Sequence, residues 1–119
     1  MVLPKLMVIA DRSVCDSFEE WCEKSRSIHH LLALEPEVGL QIRNKSAQSR
    51  TEMESLISEL SPHERLWING GWKGFQTHLR STQHNAAFTR RCGISVHSVD
   101  AAQEAQDRGF AYLQAGPIF

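Results

Sequence analysis

Short apolar runs alternate with amphipathic stretches along this chain, and that alternation predicts strands and helices in turn. Leu6–Ala10 reads Leu-Met-Val-Ile-Ala without a polar break, the pattern of a strand buried on both faces of a parallel sheet. Asp11 and Arg12 end it. Ser17 and Glu20 stand at capping-box spacing. Behind them Phe18, Trp21, Cys22, Ile28, Leu31 and Leu32 form one helical stripe. That helix is expected to stop before the Pro36 turn, because a proline disfavours helical geometry in the residue preceding it.

Val38–Ile42 is the second strand. Thr51 and Glu54 form another capping box, followed by Met53, Leu56, Ile57 and Leu60 at i, i+3, i+4 and i+7. Ser61 and Pro62 close the element. Leu66–Ile68 is a short third strand ending at Asn69-Gly70-Gly71, where two glycines permit a sharp turn or a close approach to ligand. A fourth strand is expected near Thr77–Leu79. A crossover between parallel neighbours ordinarily takes a dozen or more residues and a helix. Either this connection lacks its helix or the fourth strand is absent. Ala86, Ala87 and Phe88 mark a short helical face. Gly93–Val96 is the next strand, Ser98 and Asp100 are rival caps for the helix opening at Ala101, and Gly109 closes it. Phe110–Ala115 is the last strand. The class is α/β, with a parallel sheet and right-handed crossovers.

The 119 residues suffice for one domain, taken as 1–119, with a core of its own. A net charge of -1 offers no attraction to nucleic acid or to an anionic membrane. Cys15, Cys22 and Cys92 form no close ligand pair and read as free thiols of a reducing compartment. No apolar run reaches transmembrane length, and the apolar start is too short and too soon followed by charge for a signal peptide. A cytoplasmic protein is expected, with no metal site.

Candidate chemistry concentrates in Cys92-Gly93-Ile94-Ser95-Val96-His97-Ser98, which puts His97 and Ser98 at the carboxyl end of a strand. Such ends are where α/β proteins hold ligands; the plainer alternative is a histidine that only opens a βα loop. Gln41, Arg43 and Lys45 alternate, so their side chains point the same way if the chain stays extended. Two cations behind a glutamine can hold a phosphate or carboxylate; the alternative is a solvated basic loop.

Together these segments resemble the thiamine phosphate synthase/TenI superfamily, whose members are TIM barrels. The resemblance runs from about Leu6 to Phe119. Gln41-Ile42-Arg43-Asn44-Lys45 resembles the family's Gln-x-Arg-x-Lys segment, and Leu66-Trp67-Ile68-Asn69 the strand leading to its asparagine. Gly93-Ile94-Ser95-Val96-His97-Ser98 resembles the fifth-strand motif, and Ala111-Tyr112-Leu113-Gln114-Ala115-Gly116-Pro117-Ile118-Phe119 the sixth-strand segment. The fold this implies is a TIM-barrel-like (β/α) fold, incomplete, with about six of eight strands. Open sheet edges would then allow a homo-oligomer.

The resemblance implies a small phosphorylated thiazole or pyrimidine as partner. Gln41, Arg43, Lys45, Asn69, Ser98 and Gly116 would contact substrate or phosphate. In the synthase branch, which joins a pyrimidine pyrophosphate to a thiazole phosphate, Mg2+ is held by acidic ligands. Here one expected acid is Gly70, and Leu79-Arg80-Ser81-Thr82-Gln83-His84 carries none where the other is expected. In the thiazole tautomerase branch no cofactor is needed, and His97 would be the proton shuttle of an aromatisation. The tautomerase is the reading the residues favour. The synthase, and a non-catalytic member with a phosphate-binding or interaction role, are the alternatives.

Overall fold

All six expected strands form, in a computed structural model that describes residues 3–88 and 91–116. They are β1 (Leu6–Asp11), β2 (Val38–Arg43), β3 (Leu66–Asn69), β4 (Gln76–Leu79), β5 (Gly93–Val96) and β6 (Tyr112–Ala115). Three helices join them: α1 (Phe18–Leu31), α2 (Ser49–Ile57) and α3 (Val99–Arg108). The protein is an α/β fold with a six-stranded sheet in chain order. The described pairings β1·β2, β3·β4, β4·β5 and β5·β6 are all parallel. The chain divides into two compact units, one ending at Leu66 and the other beginning at Trp67. Pro117, Ile118 and Phe119, the end of the sixth-strand resemblance, lie outside the described residues. No described helix is long and apolar enough to cross a membrane.

In the first unit β1 pairs with β2 from Leu6↔Val38 to Asp11↔Arg43. The two-sided burial expected of β1 is not found. Ala10 is buried, but Leu6 is 59% and Ile9 38% exposed. The reason is place in the topology: β1 is an end strand. Helix α1 anchors to the Ala10 carbonyl through the Trp21 indole, 3.0 Å away, while Ile9 points to the other side of the pleat.

Helix α1 is capped as expected, the Ser17 hydroxyl accepting from the Glu20 amide at 3.1 Å. The Glu20 carboxylate accepts from the Asp16 amide rather than from Ser17, so the box closes one residue early. Trp21, Cys22 and Leu32 enter the core. The Thr51/Glu54 box does not form. Helix α2 opens three residues earlier than a Thr51 cap implies, at Ser49, and its Gln48 cap makes no side-chain capping bond. Tertiary contacts set that start: Ser49 donates to the Asn44 carbonyl at 2.7 Å, and Glu52 is engaged by neighbouring side chains. Met53, Leu56, Ile57 and Leu60 are buried, as their spacing predicts.

Arg65 closes this unit from within. It is buried, and its guanidinium donates to the carbonyls of Leu32, Glu35 and Val38. One side chain thus satisfies acceptors after the end of α1 and at the start of β2.

In the second unit the connection between β3 and β4 has no helix. Residues 70–75 alone carry the chain from Asn69 to Gln76, and the strands still pair in parallel, Trp67↔Gln76 to Asn69↔His78. Six extended residues reach about 20 Å. Strands this short require much less. Gly70 and Gly71 (φ +87° and +95°) make the reversal, with the Gly71 amide on the Ile68 carbonyl at 3.1 Å.

Of the two rival caps it is Ser98 that starts α3, accepting from the Ala101 amide at 3.0 Å. Gly109 ends the helix in the left-handed conformation, as expected. The helical face expected at Ala86–Phe88 is absent. Phe88 instead stacks on Phe110, centroids 3.9 Å apart, with the Arg108 guanidinium over both rings. The Phe110 amide still bonds back to the Ala105 carbonyl of α3, and β6 starts at Tyr112 rather than Phe110. Leu79, Ile94, Val96 and Ala105 form the core between strands and α3.

Candidate functional site

The expected anion cluster of the first unit is divided among different surroundings. Gln41 is fully buried in β2. Arg43 is partly exposed and forms an ion pair with Asp11, its neighbour in register. Lys45 is exposed, and β2 has already ended at Arg43, so the extended alternation does not continue to it. Asn44 turns the chain inward: its side chain accepts from the Ser46 amide and donates to Glu52, each at 2.9 Å. Glu52 also accepts from Ser46 at 3.0 Å and pairs with Arg12 at 3.2 Å.

Two carboxylates are stabilised in their charged forms here. Burial would raise the Asp11 carboxyl, but hydrogen bonds from Ser13 and the Arg43 guanidinium outweigh it and hold it below its ordinary value. Burial acts likewise on Glu52 and is outweighed by Asn44, Ser46 and Arg12. A carboxylate depressed in the folded state contributes stability that is complete above its unfolded pKa and lost as pH falls through the folded one. Stability to urea is therefore expected to fall as pH drops below about 4, near ordinary carboxylate pKa values. Asn44→Ala should flatten that loss, and urea titrations from pH 7 to pH 3 measure it.

The second unit gathers the remaining candidates. Asn69, at the end of β3, accepts from Arg80 Nε at 3.0 Å. Gln83 accepts from the Arg80 amide at 2.9 Å and donates to the Gly70 carbonyl at 3.2 Å. Gly70 has positive φ, and a Cβ there would lie 2.8 Å from Arg80 Nη2. A carboxylate side chain at this position meets both backbone strain and an occupied space. The cation filling that space also opposes a magnesium ion. The residues present do not fit the acidic magnesium site of a synthase. Among the described residues, no three His, Cys, Asp or Glu side chains gather as a metal site.

His97 and Ser98 lie just past β5, both exposed. They line a cavity of about 320 Å³ together with Ser95, His84, Glu104 and Arg108. Ser98 is held in place as the α3 cap, and one flank of that helix lines the cavity. Gly116 follows β6, and its amide donates to the Val96 carbonyl at 3.1 Å, keeping the end of the strand against β5. The structure thus brings His97 and Ser98 to one cavity. Asn69 is fixed by Arg80 at the end of β3, while Gln41, Arg43 and Lys45 belong to the first unit.

On β4, β5 and β6 lies a cluster that the sequence pattern did not single out. His78 is fully buried, with Nδ1 2.8 Å from the Tyr112 hydroxyl and Nε2 2.7 Å from Ser95 Oγ. The Tyr112 ring stacks on His78 and meets the Trp67 ring edge-on. A polar residue two positions from the end of a short strand, in Gln76-Thr77-His78-Leu79, was the available signal. Arg80 was equally silent, since it reads as a loop cation.

No family model, curated protein or solved structure matches this chain.

Proposed function

We propose that this chain is a thiazole tautomerase-type isomerase, acting on a small phosphorylated thiazole by proton transfer with His97 as the shuttle. The observation that carries this reading is the position of His97, exposed at the carboxyl end of β5 on the wall of the 320 Å³ cavity. The proposed finer fold is a TIM-barrel-like arrangement, supported by parallel strands in chain order with helices between most of them. A histidine suits the step because its ordinary pKa lies near neutrality, so it can take a proton and return it. The reaction is redox-neutral: one C–H bond of the substrate breaks and another forms. Arg108 lines the same cavity and can give a phosphate a charge-assisted contact.

Gly70 and Arg80 favour this isomerisation over the synthase reaction. The test is an NMR assay of the 119-residue protein with a thiazole carboxylate phosphate, following the aromatic product. His97→Ala is expected to lower turnover by at least about 100-fold with the fold unchanged by circular dichroism. Equal turnover in the variant, or none in the unaltered protein, would sink the reading.

A further inference from the structure

We propose that the outer edge of β1 and the adjoining flank of α1 form a docking groove for β1 of a second copy of this chain, the two strands pairing antiparallel about Val8. The inference concerns the first unit alone and does not depend on the isomerase reading.

The groove is built on the edge of the strand. Among the described residues β1 pairs with β2 alone and ends the sheet. Val8, Ile9, Ala10 and Asp11 all line one cavity of about 410 Å³. Consecutive strand residues point to opposite faces, so a cavity touching all four runs along the edge and not over one face. Glu20, Lys24 and Ile28, one helical turn apart on α1, form its other wall. Leu3, Leu6, Ile9 and Val14, all on β1 or beside it, are exposed. Backbone groups alternate in direction along a strand. The Leu6 amide bonds toward the β2 side, to the Glu37 carbonyl at 3.0 Å, so the backbone groups of Met7 and Ile9 turn to the open side.

Direction and register follow from the residues. Edge strands are ordinarily blunted by an internal charge, a proline or a bulge. β1 carries no charge or proline from Leu6 to Ala10; its charges stand at the ends, Lys5 before the strand and Asp11 closing it. A parallel second copy in register would set like charges together. An antiparallel one centred on Val8 sets Lys5 opposite Asp11 at both ends. It also sets Met7 opposite Ile9, so that their outward groups meet and exchange two backbone bonds. A slide of two residues keeps those groups opposed but sets Asp11 against Leu3 or Met7. In the centred register Leu6, the more exposed of the two exposed β1 side chains, stands opposite Ala10, the smallest, on the face toward α1. The groove beside Ala10 is the space it enters. Lys5 and Glu37 form an exposed pair at 2.9 Å, weak enough to be exchanged. Asp11 keeps Arg43 and gains the second cation. The contact is isologous and closes at two chains.

The experiment is sedimentation equilibrium of the purified full chain over a range of concentrations, which should fit a monomer–dimer equilibrium. Leu6→Lys alters an exposed side chain and should raise the dimer dissociation constant by at least about 10-fold. Leu34→Lys, at a similarly exposed leucine after α1, should leave it unchanged. Disulfide trapping on a non-reducing gel reads the register, with the unaltered chain and its native thiols as the blank. In Val8→Cys the new thiol meets its own mate, with Cα atoms about 4.5 Å apart, and should cross-link under mild oxidation. In Leu6→Cys the two thiols lie roughly 13 Å apart along the strands and should not. A single chain mass at every concentration overturns the proposal. So does a dimer that Leu6→Lys leaves intact, or one that cross-links through Leu6→Cys as readily as through Val8→Cys. A mass climbing past two chains overturns it as well, since that is head-to-tail association.

Discussion

Arg65→Met should destabilise the protein by about 3–5 kcal/mol, read as a lower urea midpoint with an unchanged slope. The substitution keeps much of the aliphatic volume, so the loss is not one of packing. It comes from the carbonyls of Leu32, Glu35 and Val38, which the guanidinium serves together. Leu32 and Glu35 lie past the end of α1 and Val38 opens β2; the Glu35 carbonyl also accepts from the Val38 amide, and the guanidinium ties all three together. Each buried acceptor left without a donor costs about 1–3 kcal/mol, and relaxation with water entry recovers part of the sum. Arg65→Lys should recover less than half. An ammonium on a flexible stem cannot present the planar fork that reaches three carbonyls at once. An unfolding midpoint unchanged in Arg65→Met would mean that water already satisfies these carbonyls.

Arg65 also shows where sequence pattern stops being informative. Between Pro62 and the Leu66 strand it reads as one more charge in a polar connection; only the tertiary return of β2 past the end of α1 surrounds it. Local signals fared differently. The Ser17 and Ser98 caps, the Gly109 terminus and the Met53–Leu60 stripe were legible because each depends on a few residues of neighbouring chain. The Thr51/Glu54 box had the same local pattern and failed, because Glu52 is drawn to Asn44, Ser46 and Arg12 and moves the helix start. Two-sided burial of β1 failed for a topological reason, since an apolar run looks the same in an end strand and a central one. Of the candidate site, His97 and Ser98 were readable from their place after a strand. His78, Tyr112 and Arg80 were not, because a buried hydrogen bond between strands leaves no periodic trace.

Gly93→Ala should cost about 3 kcal/mol, the upper end for forcing extra volume into a packed site, although a methyl is the smallest side chain that can be added. Backbone conformation is not the obstacle, since Gly93 lies in an ordinary strand and is not among the positive-φ glycines. The obstacle is the Tyr112 ring, which occupies the space a Cβ would take, with Cε2 only 2.6 Å from it and other ring atoms closer. The ring has little room to yield: His78 stacks against one side and Trp67 meets it edge-on. Alanine at 93 should therefore push Tyr112 away from His78 as well as loosen β5 and β6. Tyr112→Ala removes the clash but empties a large site, at about 3–5 kcal/mol as a single change. The double variant Gly93→Ala/Tyr112→Ala should then be less destabilised than the sum of the two, by at least about 1 kcal/mol, since the methyl enters space the ring has left. Urea denaturation of the four proteins in the cycle measures that coupling. Additive losses would show that Tyr112 does not rest on Gly93, and the geometry that delivers its hydroxyl to His78 would lose its foundation.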